Sequence, residues 1–170
     1  MIIETERLLL REMQPTDYPA LSKILQDADV MYAYEGPFSD TETQEWLNKQ
    51  LKKNYEEHGF GLWAVVLKAT GEMIGNCGLT MQKYKDTQVL EVGYLFQKAF
   101  WHKGFATEAA KACRDYAFTK LDVKEVFSII RDSNTASQNV AKRNAMTVTD
   151  TFVKHYRGVD MPHYLYSVKR

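Results

Sequence analysis

The sequence has few of the features that signal a disulfide framework, a membrane span or a polyanion-binding surface. It contains two cysteines and four prolines in 170 residues, and its formal net charge is zero. Two cysteines cannot build a disulfide scaffold. A net charge of zero gives no electrostatic indication of nucleic acid as a partner. The longest apolar runs fall far short of the roughly 20 residues that a membrane helix needs, so we expect a globular protein that binds neither nucleic acid nor membrane.

Candidate metal ligands are equally scarce and scattered. The four histidines, at positions 58, 102, 155 and 163, have no tight metal-ligand spacing with each other or with cysteine, so we predict no metal site. Cys77 falls in a predicted strand and Cys113 on the apolar side of a predicted helix. This placement favours buried free thiols over a catalytic or disulfide role.

The length of the chain and its first residues indicate the number of domains and the cellular compartment. A chain of 170 residues is most simply one domain, spanning 1–170, with a substantial core. The opening MIIETERLLLRE mixes acids with apolar residues and lacks the basic segment and apolar core of a signal peptide. We therefore expect a cytoplasmic protein.

The apolar pattern predicts strand, two helices, three strands, helix, strand, helix and two strands. Predicted strands cover residues 5–12, 61–68, 73–82, 89–97, 126–130, 146–153 and 164–169, with a hairpin turn at 69–72 and with Gly158 and Pro162 between the last two strands. Predicted helices follow Thr16, run from Ser39 to Gly59, cover 107–121, and begin at Ser133 or Asn134 and end near Asn144. The fold class is therefore α/β (α+β), with a single mixed, largely antiparallel twisted sheet of about seven strands flanked by four helices.

Residues 101–109, WHKGFATEA, lie between a predicted strand and a predicted helix. The first N–H groups of a helix lack intrahelical partners and carry the positive end of the macrodipole, so they favour phosphate. Gly104 permits close approach of a ligand. We therefore predict a phosphate-bearing cofactor at residues 102–107. The dinucleotide and P-loop fingerprints are absent, so a dehydrogenase or a nucleotide triphosphatase is not indicated, and an ordinary turn is the alternative.

Four motifs, in order, carry a resemblance that spans nearly the whole chain. They are ETERLLLR at 4–11, TGEMIG at 70–75, EVGY at 91–94 followed by W-x-K-G-F-A-T-E-A at 101–109, and N-x-x-S-x-x-V-x-K at 134–142. The sequence resembles the GNAT superfamily of N-acetyltransferases, in the branch similar to ribosomal-protein N-terminal alanine acetyltransferases. The resemblance implies a GNAT-like acyl-CoA N-acyltransferase fold and acetyl-CoA as cosubstrate.

The same resemblance assigns residues to the cosubstrate. It implies that backbone groups near Leu95 and Phe96 pair with the pantetheine arm, as a strand would add to a sheet edge. The pyrophosphate would lie on residues 102–107, and further contacts would come from the next helix. The residues of these two regions are His102, Lys103, Gly104, Phe105, Ala106 and Thr107, with Asn134 and Ser137. Gly93 within a strand suggests a bulge or a close backbone approach, and Thr107 either binds phosphate or caps the helix.

Acetyl transfer to an amine requires a base, a polarised carbonyl and a donor for the leaving thiolate. We predict Glu91, at the inner end of its strand, as the base acting through water, a strand N–H near Leu95 as the oxyanion donor, and Ser137 as the thiolate donor. Glu91 could instead be a sheet-surface carboxylate with a basic cross-strand neighbour. Ser137 could instead bond only the backbone of its helix.

Some positions depart from the family pattern. Ala141 stands where many members carry a tyrosine acid, Trp101 where Gln or Arg is common, and His102 where the branch usually has Gly. We expect an acetyl-CoA-dependent N-acetyltransferase acting on a primary amine, with a protein N-terminal α-amine as one candidate acceptor. A small-molecule (polyamine or antibiotic) acetyltransferase and a non-catalytic CoA-binding module are the alternatives. Monomer and homodimer are both open.

Overall fold

A computed structural model describes residues 1–34, 36–156 and 158–170. The strands are β1 (Ile3–Glu4), β2 (Leu8–Arg11), β3 (Leu62–Leu67), β4 (Met73–Tyr84), β5 (Thr87–Phe96), β6 (Glu125–Arg131), β7 (Thr147–Tyr156) and β8 (Val159–Lys169). The helices are α1 (Tyr18–Leu25), α2 (Ala28–Met31), α3 (Asp40–Lys49), α4 (Tyr55–His58), α5 (Phe105–Lys120) and α6 (Thr135–Arg143). Among these described residues, no helix is long and apolar enough to cross a membrane.

All the strands join one sheet in the order β1-β2-β3-β4-β5-β6-β8-β7. Every neighbouring pair is antiparallel except β5 and β6, which are parallel. The mixed, largely antiparallel sheet is confirmed, but it has eight strands rather than about seven because the residues before Leu8 form a separate short strand, β1.

The helices also differ from the predicted four. The predicted helix from Ser39 to Gly59 starts with the expected capping box at Ser39 and ends with Gly59 in the left-handed conformation (φ 71°). Between α3 and α4 the chain widens into a π-helical segment, Gln50–Asn54. The short α2 was not predicted at all, because four residues carry too little periodicity to detect. Pro162 was placed between strands and lies inside β8, where Val153 is its partner.

Two hydrophobic clusters cover the two sides of the sheet. Residues that face each other across strands share a side of the sheet, so Cys77 and its partner Tyr94 lie on the side covered by α5. There Cys77 and Cys113 are buried free thiols with their Sγ atoms 3.6 Å apart, as the sequence predicted. Glu91 and its partner Thr80 lie on the opposite side.

The central strands β5 and β6 diverge. They are in register at one pair, Glu91 with Phe127, and just beyond it the Ser128 hydroxyl donates to the Val92 carbonyl at 2.8 Å. Past this point the two strands separate and leave a gap in the sheet. Beyond Val92, the backbone of β5 therefore has no strand partner on its β6 side among the described residues.

Candidate active site

The N-terminal end of α5 is open. Gly104 occupies the N-cap position with φ 78°, and no side chain among the described residues caps the helix. His102 is also left-handed (φ 61°). The helix begins at Phe105, two residues earlier than predicted, so Phe105, Ala106 and Thr107 form its first turn and Thr107 is not the cap. Their N–H groups are the unpaired donors that suit a phosphate.

An ion pair between Arg7 and Glu108 holds this turn in place. The Glu108 carboxylate accepts hydrogen bonds from the Thr5 hydroxyl at 2.6 Å, from the Arg7 N–H at 2.9 Å and from Arg7 Nε at 2.7 Å. Arg7 also donates to the Lys103 carbonyl at 2.9 Å, and its guanidinium lies 4.4 Å from the Phe105 ring centroid. These hydrogen bonds, together with the Arg7 charge, lower the pKa of Glu108 against the opposing effect of burial. Sequence reasoning missed this role of Arg7, because the pair spans 101 positions.

A cleft of about 1230 Å³ extends from this end along β5 to α6. The cofactor residues predicted from the sequence line it, with the exception of Lys103: they are Leu95, Phe96, His102, Gly104, Phe105, Ala106, Thr107, Asn134 and Ser137. Lys103 lies beside the cleft with its Nζ 5.6 Å from the Phe100 ring centroid. Lys111 and Arg143 also line the cleft and were not predicted. Four acidic residues, Glu6, Asp29, Glu108 and Asp115, line the cleft as well, so the attraction for an anion comes from local groups such as Lys111, Arg143 and the α5 N–H groups, not from the cleft's total charge.

The backbone of β5 presents alternate residues to the cleft. The Gln97 N–H donates to the Ile74 carbonyl on β4 at 2.9 Å, whereas Phe96 accepts from the Trp101 indole at 3.0 Å on the free side. Since backbone groups alternate along a strand, the N–H groups of Tyr94 and Phe96 face the gap and that of Leu95 faces β4. The oxyanion donor predicted near Leu95 therefore has to come from a neighbour of Leu95. Gly93 is in regular register with Gly78, so no bulge forms there.

The N-terminal end of α6 is closed by its own side chain. Asn134, one of the two predicted candidates, is the N-cap, and its Oδ1 accepts from the Ser137 N–H at 3.2 Å. The Ser137 hydroxyl makes no hydrogen bond with any described residue. The Ser137 carbonyl accepts from the Tyr94 hydroxyl at 2.7 Å, and burial raises the pKa of Tyr94 well above its usual value. Sequence reasoning assigned Tyr94 no role beyond its place in the EVGY motif. Period-two alternation from Glu91 does place it on the opposite side of the sheet from Glu91.

Glu91 lies in a second, smaller cavity of about 70 Å³. Asn134, Ser137, Tyr34 and Tyr94 line both this cavity and the larger cleft, so the two spaces meet at the β5–β6 gap. Glu91 is mid-strand rather than at a strand end, and its Oε2 accepts from the Ile129 N–H at 2.9 Å. Burial raises the pKa of Glu91 to about 7, against the lowering effects of that hydrogen bond and of the Lys154 charge.

The partners opposite Glu91 bear on its alternative role as a paired surface carboxylate. They are Thr80 on β4 and Phe127 on β6, and neither is basic. No ion pair of Glu91 occurs among the described residues. Arg131 and His163, which face each other between β6 and β8, complete the polar lining of the small cavity.

The sequence matches one protein family along most of its length. The chain belongs to the acetyltransferase (GNAT) domain family, whose model matches residues 7–147. It is an acetyl-CoA-dependent N-acetyltransferase of this family. Among sequence relatives, it is 36% identical over 151 residues to the uncharacterized protein YkkB of Bacillus subtilis (88% of this chain, 87% of the relative). It is 30% identical over 155 residues to the uncharacterized N-acetyltransferase YnaD of Bacillus subtilis (91% and 87%).

Solved structures agree with the fold. A GNAT-family acetyltransferase from Bacillus anthracis has a TM-score of 0.83 at 26% identity, covering 99% of this chain and 98% of that one. At the level of fold alone, the chain is similar to the ribosomal-protein-S5-alanine acetyltransferase of Vibrio fischeri (TM-score 0.78, 17% identity, 98% and 95% covered). It is also similar to the spermidine N-acetyltransferase of Vibrio cholerae in complex with CoA and spermine (TM-score 0.77, 17% identity, 97% and 96% covered). Proteins with this fold thus include both a ribosomal-protein acetyltransferase and a polyamine acetyltransferase.

Proposed function

We propose that this acetyltransferase transfers the acetyl group to a primary amine by direct attack in a ternary complex, with Glu91 as the general base. The observation that carries the proposal is the position of Glu91. It lies in a small cavity on the side of the sheet opposite α5, where that cavity opens through the β5–β6 gap into the cleft. An amine can therefore approach from the Glu91 side while the diphosphate of acetyl-CoA lies on the first turn of α5.

The pKa of Glu91 suits this role. A general base works best when its pKa lies near the working pH, and burial raises the pKa of Glu91 to about 7. An α-amino group has a pKa near 8 and a lysine-type amine near 10.4, so an α-amine needs less help to lose its proton. We infer that Glu91 takes the amine proton, directly or through one water, and that a protein N-terminal α-amine is the favoured acceptor.

The remaining charges of the reaction have candidate partners on the cleft side. The carbonyl oxygen gains negative charge as the amine attacks, and the N–H groups of Tyr94 and Phe96 point into the gap where such a donor is needed. Ser137 has a hydroxyl free to donate to the leaving sulfur. Tyr94 holds the Ser137 carbonyl at 2.7 Å, which makes Tyr94 a positioning residue for that donor.

The atoms balance without another reactant. A C–N bond forms between the amine and the acetyl carbon, and the C–S bond of the thioester breaks. Counted from the neutral amine, one proton leaves the nitrogen to Glu91, which releases it to water, and one proton returns to the CoA sulfur from the Ser137 hydroxyl, which is resupplied from water. The products are an N-acetyl amide and CoA.

The test is CoA-thiol release from acetyl-CoA with a panel of N-terminal peptides, polyamines and aminoglycosides. Glu91→Gln keeps the shape and removes the base, so we expect kcat to fall by about 10²–10⁴-fold while acetyl-CoA still raises the Tm. The wild-type rate should rise with pH up to about 7 as Glu91 loses its proton, and this limb should vanish in Glu91→Gln. Ser137→Ala should lower kcat by a smaller factor.

Each result has a distinct meaning. Turnover that Glu91→Gln leaves unchanged would reject Glu91 as the base. Tight acetyl-CoA binding with no turnover for any amine would favour the non-catalytic CoA-binding module.

A further inference from the structure

The small cavity contains a second charged side chain that the transfer reaction does not use. Arg131 is the last residue of β6, and it lines this cavity together with Glu91 and His163. Its Nη1 donates to the Tyr32 carbonyl at 3.3 Å. Its Nε is buried and has no hydrogen-bond partner in the part of the chain that the structure describes. Buried donors of a permanently charged guanidinium are rarely left unpaired, because water has been removed without replacement.

Arg131 is the permanent cation of this cavity. His163 is buried and its Nδ1 donates to the Met161 carbonyl at 2.7 Å, and burial lowers the pKa of His163, so the ring is neutral near pH 7. Lys154 contributes positive charge from β7 without lining the cavity. Glu91 is therefore the one carboxyl group, and Arg131 the one permanent cation, among the described residues that line it.

Glu91 and Arg131 reach the same small cavity from neighbouring strands. The Glu91 carboxylate accepts from the N–H of Ile129, and Ile129 lies two residues before Arg131 on β6, so that the side chains of Ile129 and Arg131 share a side of the sheet. Because the cavity is only about 70 Å³, a ligand that meets both groups there has to carry its amine and its oxygen acceptor close together. An amine nitrogen and an oxygen separated by two carbon atoms meet that requirement.

We propose that Arg131 is a specificity-determining residue that binds the oxygen of an acyl group on the carbon next to the acceptor amine. The acceptor would then be an α-amino acyl compound, with either a free carboxylate or an amide carbonyl as the oxygen source. A polyamine has no such oxygen, and its further positive charges would be repelled by Arg131. This inference rests on the proposed function, since it assumes that the amine lies at Glu91.

The experiment uses three matched amines with the full-length protein and saturating acetyl-CoA. Phenylalaninamide carries the amide carbonyl, phenylalanine carries the carboxylate, and 2-phenylethylamine lacks both; spermidine is added as a polycation. We expect wild-type kcat/KM to be at least about tenfold higher for one or both acyl-bearing amines than for 2-phenylethylamine, as for a hydrogen bond to a charged group. The better of the two identifies the oxygen source.

Variants of Arg131 distinguish a role in binding the acceptor amine from a purely structural role. Arg131→Gln should raise KM for the acyl-bearing amines by about tenfold or more, change kcat little, and leave 2-phenylethylamine unaffected. Arg131→Lys keeps the charge without the planar fork and should retain part of the preference. Arg170→Gln, which removes an exposed arginine paired with Asp122, is the matched control and should match wild type. Arg131→Lys carries the test where Arg131→Gln does not fold.

Four outcomes would overturn the inference. An equal loss for all three amines in Arg131→Gln would mean that Arg131 only tethers the Tyr32 carbonyl. A wild-type preference for spermidine or 2-phenylethylamine would contradict it directly. Equal wild-type rates for the three matched amines would do the same. Silence with every matched amine, while peptides or other amines are acetylated, would reject this subsite and leave the proposed function standing; silence with every amine tested would reject the proposed function itself.

Discussion

The N-terminal ends of α5 and α6 both lie at the same cleft, but a side chain caps the end of α6, whereas no side chain among the described residues caps the end of α5. At α5 the cap position is Gly104, which has no side chain to offer, and the first-turn N–H groups are left open. At α6 the cap position is Asn134, whose side chain takes the Ser137 N–H. Both ends carry the same kind of backbone dipole, and at the cap position itself the difference is the residue, glycine or asparagine.

This difference indicates which part of each helix serves the ligand. The open end of α5 gives its backbone donors to an anion, and the ion pair of Arg7 with Glu108 stabilises this end at the edge of the cleft. The closed end of α6 satisfies its own backbone and presents side chains instead, with the Ser137 hydroxyl and the buried Asn134 facing the cleft. We infer that α5 binds the phosphates and α6 serves the reacting end.

Substituting Gly104 at the open end should have the largest effect. In Gly104→Asp the new Cβ would lie 3.4 Å from Arg7 Nη2 on a left-handed backbone (φ 78°) that side chains rarely adopt. The strained turn and the negative charge beside the first-turn N–H groups would both weaken diphosphate binding, and we expect KM for acetyl-CoA to rise by about 100-fold, or roughly 2.7 kcal/mol. Steady-state kinetics and the Tm increase with CoA measure this.

Gly104→Asn is the matched control for charge. Asparagine has the shape of aspartate without its charge and tolerates the left-handed conformation, so it should raise KM by about tenfold only. Equal KM values in wild type and Gly104→Asp would show that the phosphates bind elsewhere.

Opening the closed end should have a moderate effect of a different kind. Asn134→Ala removes the cap of α6 and should lower the free energy of unfolding by about 1 kcal/mol, seen as a Tm lower by roughly 2–4 °C. KM for acetyl-CoA should change less than in Gly104→Asn. Asn134→Asp keeps a capping oxygen and should retain the wild-type Tm. A change in KM larger than that of Gly104→Asp would invert the comparison between the two helices.

The sequence was sufficient for the features that depend on local pattern. The closing glycine at Gly59, the capping asparagine at Asn134 and the strand–loop–helix around Gly104 each follow from the properties of one residue in its local context. Ordered motifs then indicated the family. The eighth strand escaped detection because β1 has two residues, and the start of α5 was misplaced because Phe105 and Ala106 read equally well as loop.

Features that depend on distant parts of the chain could not be predicted. The Arg7–Glu108 pair and the Tyr94 contact to α6 join residues far apart in sequence. The N–H groups of Tyr94 and Phe96 face the gap because of where β5 and β6 diverge, and no local sequence pattern indicates that point. The partners of Glu91 and the position of Arg131 beside it likewise follow from the packing of separate strands.

Substitution of His102, in the loop before the open end of α5, should change stability least of all the substitutions. The branch usually has Gly at this position, and the structure supplies the reason: His102 has φ 61°, a conformation that costs most side chains about 1–2 kcal/mol. His102→Gly should relieve that strain, partly offset by the greater freedom of glycine in the unfolded chain. We expect a net gain of about 0.5 kcal/mol and a Tm higher by roughly 1–2 °C. His102→Ala keeps the Cβ and should show no gain. A Tm that rises equally in both variants would mean that the imidazole, rather than the backbone conformation, is the source of strain.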